Sequence, residues 1–257
     1  GEEKDKIDRE VTFSAELRNI VGQHIYGEKW ATKIKSYLFE HNLRHRPIHI
    51  ISANLHSFMN AVYGFDALKG NKYKNVLELA LQSSDAKNDK LRKSIEQFAK
   101  KNGMAEIEDQ SGTNLTVQIF DLAKFQSNYW KYNQSEKDCP VLIVMDYAFG
   151  EQAFECMDEL LKPFEKGGKS QSFNVSSINI MGKAGILEGK KGDIMIPTAH
   201  VFEGTADNYP FVNDFSKKEF ENGHGIAVFE GPMITVLGTS LQNKDVLVHF
   251  LTSTWNA

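Results

Sequence analysis

A strand followed at once by a glycine and a helix lies at residues 140–150, and its polar and aromatic residues could contact a ligand. The apolar run ends at Asp146, and Tyr147, Phe149 and Gly150 come before the helical pattern. In an α/β sheet such a junction places backbone N–H groups at the carboxyl edge of the strands, where ligands bind. A tight strand–helix turn without a ligand is the alternative, and the pattern leaves both open.

A second glycine-bearing junction follows the strand predicted at residues 176–182. Gly182, Lys183, Ala184 and Gly185 form a G-x-x-G pattern, which predicts a turn that lets the backbone approach a ligand closely. We expect a β-branched residue in place of Gly185 to block this turn. Lys183 would point into the turn and contact a phosphate or ribose oxygen. A hairpin-like crossover with a solvated lysine is the alternative.

The elements that must position these junctions alternate between strands and helices. Helical periodicity predicts two helices within residues 14–43, one over 74–102 with an interruption at 83–89, one after Gly150, and a last one over 244–255. Apolar runs predict strands at 48–54, 115–122, 140–150, 176–182, 193–202, and two more around GIAVFEG and PMITVLG. This alternation predicts an α/β fold with a mixed, mainly parallel sheet. We expect an N-terminal helical extension over 1–45 and one α/β domain over 46–257.

Composition excludes several classes of protein. The 257 residues are 41% hydrophobic and 25% charged, with a net charge of −4, which argues against collagen, wholesale disorder, and a protein that coats nucleic acid or anionic lipid. The longest apolar run is shorter than the ~18 residues of a membrane helix. The charged N-terminus does not look like a signal peptide, and Cys139 and Cys156 do not form a disulfide or zinc framework. We expect a cytoplasmic protein that binds neither nucleic acid nor membrane, with Cys156 in the core.

The common catalytic and nucleotide-binding motifs are absent from the sequence. There is no Walker loop, no G-x-G-x-x-G after a strand, no H-E-x-x-H and no G-x-S-x-G. The sequence therefore gives no support to P-loop, Rossmann, zinc-protease or serine-hydrolase chemistry, and it predicts no metal site.

The two junctions together resemble the purine nucleoside phosphorylase and nucleosidase superfamily. The shared pattern is the strand, Gly150 and helix, then I-x-x-M-G-x-x-G-x-L and, a few residues on, Gly192-Asp193 before another strand. The late segment GPMITVLGTSLQN is similar to one in AMP nucleosidases, and the resemblance covers residues 140–245. It implies a three-layer fold with a central twisted sheet, and cleavage of the N-glycosidic bond of a purine nucleoside or nucleotide. Phosphate or water would be the acceptor, and no other cofactor would be needed.

The resemblance also implies roles for individual residues. The turn from Gly182 through Lys183 and Ala184 to Gly185 would face the anion or ribose, whereas Tyr147, Phe149 and Gly150 would line the nucleoside. Two aromatic residues of the loop after Pro197 would form a wall for the base, and an upstream segment would take the place of the first phosphate-binding turn. The residues of the wall are Tyr209 and Phe211. The residues of the upstream segment are Ser52, Asn54 and His56.

The sequence departs from the family in two places. The segment after Ser52 is not glycine-rich, and Asn54 and Ser57 could instead cap the helix that follows. The glutamate-methionine-glutamate strand that grips the ribose in the family has no counterpart before Ala257. Two hypotheses therefore stand: an N-glycosidic enzyme, or a catalytically silent nucleotide- or anion-binding domain that acts through oligomer assembly. A homo-oligomer is expected, since the aromatic residues Tyr129, Trp130 and Tyr132 are typical of interfaces.

Overall fold

The computed structural model describes most of the chain, in nine stretches: residues 23–68, 78–79, 82–83, 88–128, 135–148, 150–185, 188–202, 207–220 and 225–235. The chain divides into two compact units, residues 1–182 and 183–257. The division falls inside the predicted G-x-x-G turn, and the first unit contains the range predicted as an N-terminal helical extension.

The first unit is built on a five-stranded mixed sheet. Its strands are β1 (Ile48–Ser52), β2 (Met104–Ile107), β3 (Val117–Asp121), β4 (Val141–Met145) and β7 (Val175–Ile180). Their order across the sheet is β2-β3-β4-β1-β7. Strand β1 is parallel to β4 and to β7, whereas β3 is antiparallel to both β4 and β2. A separate two-stranded hairpin consists of β5 (Phe164–Lys166) and β6 (Lys169–Gln171).

Helices cover both faces of this sheet. They are α1 (Gln23–Glu40), α2 (Leu55–Ala67), α3 (Asp89–Lys101) and α4 (Gly150–Leu161). Helices α1 and α4 pack over one face, where the first core cluster joins Trp30, Ile34 and Leu160 to Ile50 and Ile143. Helices α2 and α3 pack over the other face in the second core cluster.

The second core cluster contains Met59, Tyr63 and Ile95 from the helices and Ile51 and Val144 from the strands. Adjacent residues of β1 and β4 thus enter opposite clusters, because successive side chains of a strand point to opposite faces. This explains the nearly continuous hydrophobicity of the two strands, and it confirms β1 as a strand buried on both faces.

The second unit contains a three-stranded sheet and a short helix. Its elements are β8 (Ile194–Phe202), β9 (Asp207–Pro210), α5 (Lys217–Phe220) and β10 (Val228–Thr235). Strand β8 lies in the middle, parallel to β10 and antiparallel to β9. The two strands predicted around GIAVFEG and PMITVLG are one strand in the structure, in which the register shifts between Gly231 and Pro232.

The mixed α/β class is confirmed, and the strands predicted near residues 48, 117, 141, 176 and 194 are present. Two of the four pairings in the five-stranded sheet are parallel and two are antiparallel. The sequence pattern did not predict β2, a short antiparallel edge strand, or the short strands β5, β6 and β9. The predicted helix over 244–255 and the aromatic residues Tyr129, Trp130 and Tyr132 lie outside the described residues. No helix in the described part of the chain is both long and apolar enough to cross a membrane.

Candidate functional site at the carboxyl edge of β1 and β4

The carboxyl ends of β1 and β4 form a topological switch point. These neighbouring strands are parallel, but the helices that follow them pack on opposite faces of the sheet. Helix α2 follows β1 and contributes Met59 to the second core cluster, whereas α4 follows β4 and contributes Cys156 to the first. The two connections therefore leave this edge toward opposite faces of the sheet. Ligands of open α/β sheets bind at such a point.

Main-chain hydrogen bonds hold three strand ends side by side at this edge. The N–H of Ala53 donates to the Met145 carbonyl at 3.0 Å, and the N–H of Met181 donates to the Ser52 carbonyl at 2.9 Å. Ser52 is in register with Met145 on one side and with Ile180 on the other. The residues directly after β1, β4 and β7 therefore emerge along one edge, with the end of β1 between those of β4 and β7.

On the β1 side, polar groups are engaged within helix α2. Asn54 is its N-cap, and its Oδ1 accepts a hydrogen bond from the Ser57 N–H at 2.9 Å. The capping alternative is thus the role that the structure gives to Asn54. The half-buried His56 lies in the first turn, with Nε2 3.2 Å from Nδ2 of Asn60, and Asn60 in turn donates to Ser83 Oγ at 2.6 Å.

On the β4 side, the junction presents a carboxylate, a phenol and a glycine. Asp146 Oδ1 accepts the Tyr147 N–H at 2.8 Å, and both residues are half-buried. Gly150 has a φ of +54° and opens helix α4, a conformation that glycine adopts without steric cost. Phe149 lies outside the described residues. Sequence analysis placed Tyr147 and Gly150 here but did not assign a role to Asp146, although a carboxylate directly after a buried strand is itself a signal.

The predicted G-x-x-G turn is not a glycine-dependent turn. Gly182, Lys183, Ala184 and Gly185 are all exposed. Neither Gly182 nor Gly185 has a positive φ, and a Cβ at either position would meet nothing within 4 Å. The expectation that a β-branched residue at position 185 would block a turn is therefore wrong, because the backbone there does not occupy the left-handed region.

The glycines that do shape this region come later, at Gly189 and Gly192. Both have a φ of +102°, and Asp193 closes the loop between them by accepting the Lys190 N–H at 2.8 Å. A Cβ at Gly189 would lie 2.8 Å from the Phe229 ring and from the Asp193 carboxylate. Gly192 and Asp193, the Gly-Asp pair of the pattern that resembles the nucleoside phosphorylases, thus have a role in closing this loop.

In the second unit, a histidine that the sequence did not single out stacks on one of the two residues of the predicted aromatic wall. His200 is opposite Tyr209 in the β8–β9 pairing. Its ring stacks on Phe211, with centroids 4.9 Å apart and planes at 16°. The N–H of Phe211 donates to the Thr198 carbonyl at 3.1 Å, which holds the ring at the end of β9. Tyr209 is 60% exposed.

The predicted site residues fall into two sets. Ser52, Asn54, His56, Tyr147, Gly150 and Gly182 belong to the first unit. Lys183, Ala184, Gly185, Tyr209 and Phe211 belong to the second. Within the first unit, the structure brings the β1 and β4 junctions to the same edge.

A family profile matches residues 69–256, which is most of the chain, and its description is "Family of unknown function (DUF6909)". The chain belongs to this family. No curated protein matches the chain, and neither does any solved structure. The range shared with DUF6909 includes Asp146, Tyr147 and all of the second unit except Ala257, whereas Asn54 and His56 precede it.

The two cysteines of this DUF6909 protein do not add a second centre of chemistry. Burial raises the pKa of the Cys156 thiol to about 11 and also raises the pKa of Cys139, so both are inert at neutral pH. Both cysteines are buried and free, which confirms Cys156 as a core residue. Over the residues that the structure describes, no group of three histidine, cysteine or acidic side chains could hold a metal.

Proposed function

We propose that the carboxyl edge of β1 and β4 binds a purine nucleoside. The observation that supports this most directly is the switch point, because open α/β sheets bind their ligands where the helices after two neighbouring parallel strands pack on opposite faces. Tyr147 supplies an aromatic surface for a base, and the Asp146 carboxylate can accept hydrogen bonds from ribose hydroxyls. The resemblance to nucleoside phosphorylases suggests the ligand class, and the switch point supports this location for the proposed site.

The charge at this edge favours a neutral nucleoside over a phosphorylated one. Residues 53–57 and 146–148 follow β1 and β4 directly, and they include one acidic side chain, Asp146, and no lysine or arginine. A phosphate would lie near that carboxylate without a fixed cation. Asn54 Oδ1 already accepts the Ser57 N–H, so its side chain is committed to the cap. Water is therefore the acceptor that fits this edge better than phosphate.

A second candidate function is cleavage of the N-glycosidic bond, favoured by a carboxylate and an imidazole that follow neighbouring parallel strands, Asp146 after β4 and His56 after β1. Water would form the new bond to C1′ and give a proton to the Asp146 carboxylate. The bond between C1′ and the base nitrogen would break with its electron pair going to the base, which would take a proton from His56 in its imidazolium form and leave a neutral imidazole. A carboxylate also stabilises the positive charge that develops on the ribose ring in such a reaction.

Calorimetry and a base-release assay separate binding from cleavage. Inosine, adenosine, AMP and methylthioadenosine are titrated into the full chain, and free base is measured with and without phosphate. We expect binding of the neutral nucleosides, and Asp146→Asn should weaken it at least about tenfold, the factor for one lost charged hydrogen bond. Asp138→Asn is the matched control, because Asp138 lies before the amino end of the same strand and bonds Ser135.

The outcomes decide between the two candidate functions. Binding with base release supports the enzyme, whereas binding without base release supports a catalytically silent nucleoside-binding protein. If none of the four ligands binds, or if both carboxylate variants behave alike, the nucleoside proposal is wrong.

The finer architecture and the cellular compartment belong to the same proposal. We propose that the three adjacent parallel strands β4, β1 and β7, with helices on both faces, form the core of a phosphorylase-like sheet. The two free cysteines fit the reducing conditions of the cytoplasm. A crystal structure with a bound nucleoside tests the first statement, and cell fractionation tests the second.

A further inference from the structure

Strand β7 is an edge of the five-stranded sheet, and its outer side is open within the described part of the protein. It pairs with β1 on one side, and none of the described strands pairs with it on the other. The N–H of Met181 points to β1, where it donates to Ser52. Because alternate main-chain groups of a strand point to opposite sides, the N–H and C=O groups of Ile178 and Ile180 point away from β1.

The side chains of the same two residues are apolar and exposed. Ile178 is 45% exposed and Ile180 is 81% exposed, and Met181, which follows the strand on the opposite face, is 50% exposed. Ile178 is in register with Ile50, which belongs to the first core cluster, so the two exposed isoleucines extend that face of the sheet beyond its helices. Exposed apolar side chains on an unpaired strand edge favour pairing with another chain.

Strand β7 also lacks the features that keep edge strands apart. Monomeric proteins protect their edges with short strands, charged side chains, prolines or bulges placed on the open side. The opposite edge strand, β2, has four residues, includes Glu106, and is followed by Glu108 and Asp109. Strand β7 has six residues, Val-Ser-Ser-Ile-Asn-Ile, without a charge or a proline. Its one irregularity in register lies at its amino end, between Val175, which pairs with Ile48, and Ser177, which pairs with His49.

We propose that β7 pairs in antiparallel orientation with β7 of a second copy of this chain, about a twofold axis at Asn179. A twofold axis at Asn179 places Ile178 opposite the partner's Ile180. Because the segment Ile178-Asn179-Ile180 reads the same in both directions, both opposed pairs are isoleucine with isoleucine. These two pairs exchange about four main-chain hydrogen bonds, two for each directly opposed pair. Because β7 carries no charge, the axis brings no like charges together. This β7–β7 pairing makes the five-stranded sheet of one copy continuous with that of the other.

Disulfide trapping tests the register of this pairing. At a non-hydrogen-bonded pair the two Cα atoms lie about 4.5 Å apart, which is within the range of about 4.4–6.8 Å for a disulfide. Asn179→Cys should therefore form a covalent dimer under mild oxidation. Lys169→Cys is the control, because Lys169 is exposed on the β5–β6 hairpin and should not crosslink. The native cysteines are buried and should not contribute.

Light scattering and sedimentation test the surface without a crosslink. The full chain should be a dimer that dissociates on dilution, and Ile180→Lys should raise its dissociation constant about tenfold or more, since it places charges on an apolar pair. Val212→Lys is the matched control in the second unit, where Val212 is 97% exposed. A monomer at all concentrations overturns the proposal, and so does a dimer that Ile180→Lys leaves unchanged. If Ile180→Lys does not fold, the crosslinking experiment decides. The proposal is then overturned if Asn179→Cys does not crosslink faster than Lys169→Cys.

Discussion

The ion pair between Arg46 and Asp121 makes a quantitative prediction about the stability of the first unit. Arg46 lies just before β1, and its Nη1 donates to Asp121 Oδ1 at 2.6 Å. Its Nε donates to the Cys139 carbonyl at 2.8 Å, and its Nη2 to the Pro140 carbonyl at 3.2 Å. Both side chains of the pair are less than a tenth exposed. One guanidinium thus joins the start of β1 to the end of β3 and the start of β4.

Removing either partner should destabilise the first unit strongly. Asp121→Ala leaves the Arg46 guanidinium buried without a carboxylate, and Arg46→Met leaves the buried Asp121 carboxylate with the exposed Lys124, 3.5 Å away, as its charged partner. Asp121→Ala should lower the free energy of unfolding by about 3–5 kcal/mol, and Arg46→Met by a similar amount. The double variant leaves no unpaired charge. It does leave the Cys139 and Pro140 carbonyls without their donor, at about 1–3 kcal/mol each at most. We therefore expect the double variant to cost about as much as one single variant, well below the sum of the two.

Urea unfolding of the full chain measures all four members of this double-mutant cycle. Tryptophan fluorescence follows the first unit when Trp255 of the second unit is replaced by phenylalanine in all four proteins, because Trp30 is buried in the first core cluster and its Nε1 donates to the Leu115 carbonyl at 2.9 Å. A coupling free energy below about 0.5 kcal/mol, the scatter expected for independent sites, would refute the assignment of the pair as a coupled unit.

Three further predictions concern backbone conformation, thiol reactivity and the helix cap. Gly103→Ala should cost about 2–4 kcal/mol, since φ is +97° and the new Cβ would lie 2.5 Å from the Asp121 carbonyl, whereas Gly185→Ala should be nearly neutral; urea unfolding compares them. Cys156 should resist iodoacetamide at pH 8 in the folded protein and react after unfolding, because burial raises its pKa to about 11; rapid labelling of the native protein would contradict this. Asn54→Ala should cost about 1 kcal/mol of stability without weakening nucleoside binding, and a tenfold loss of affinity by calorimetry would give Asn54 a ligand role instead.

Periodicity predicted the central strands well because β1 and β4 enter both core clusters. Ile50 and Ile51 are buried on opposite faces, and such strands give continuous apolar runs that are easy to find. Strand β2 was missed because it is short, half-exposed and charged, with the burial pattern of an edge. The antiparallel pairing of β3 with β4 could not be predicted from the sequence either, because an apolar run does not specify whether the neighbouring strand is parallel or antiparallel.

The candidate site could be predicted only in part, because glycine spacing does not fix backbone conformation. Gly150 has the positive φ that its position before a helix suggests. Gly182 and Gly185 have the spacing of a tight turn but no left-handed backbone, and Gly189 and Gly192 provide the turn instead. The switch point itself depends on which face each helix packs against, and this is decided by tertiary contacts that local periodicity does not contain.

The positions of the two carboxylates imply that stability and binding are separable in the first unit. Asp121 lies at the end of β3, beside the start of β4, because these strands are antiparallel and Asp121 is in register with Val141. Asp146 follows the other end of β4. A whole strand of five residues separates them, about 17 Å at 3.3 Å per residue. Variants of the Arg46–Asp121 pair should therefore change unfolding without changing nucleoside affinity in dilute buffer, and Asp146→Asn should do the reverse.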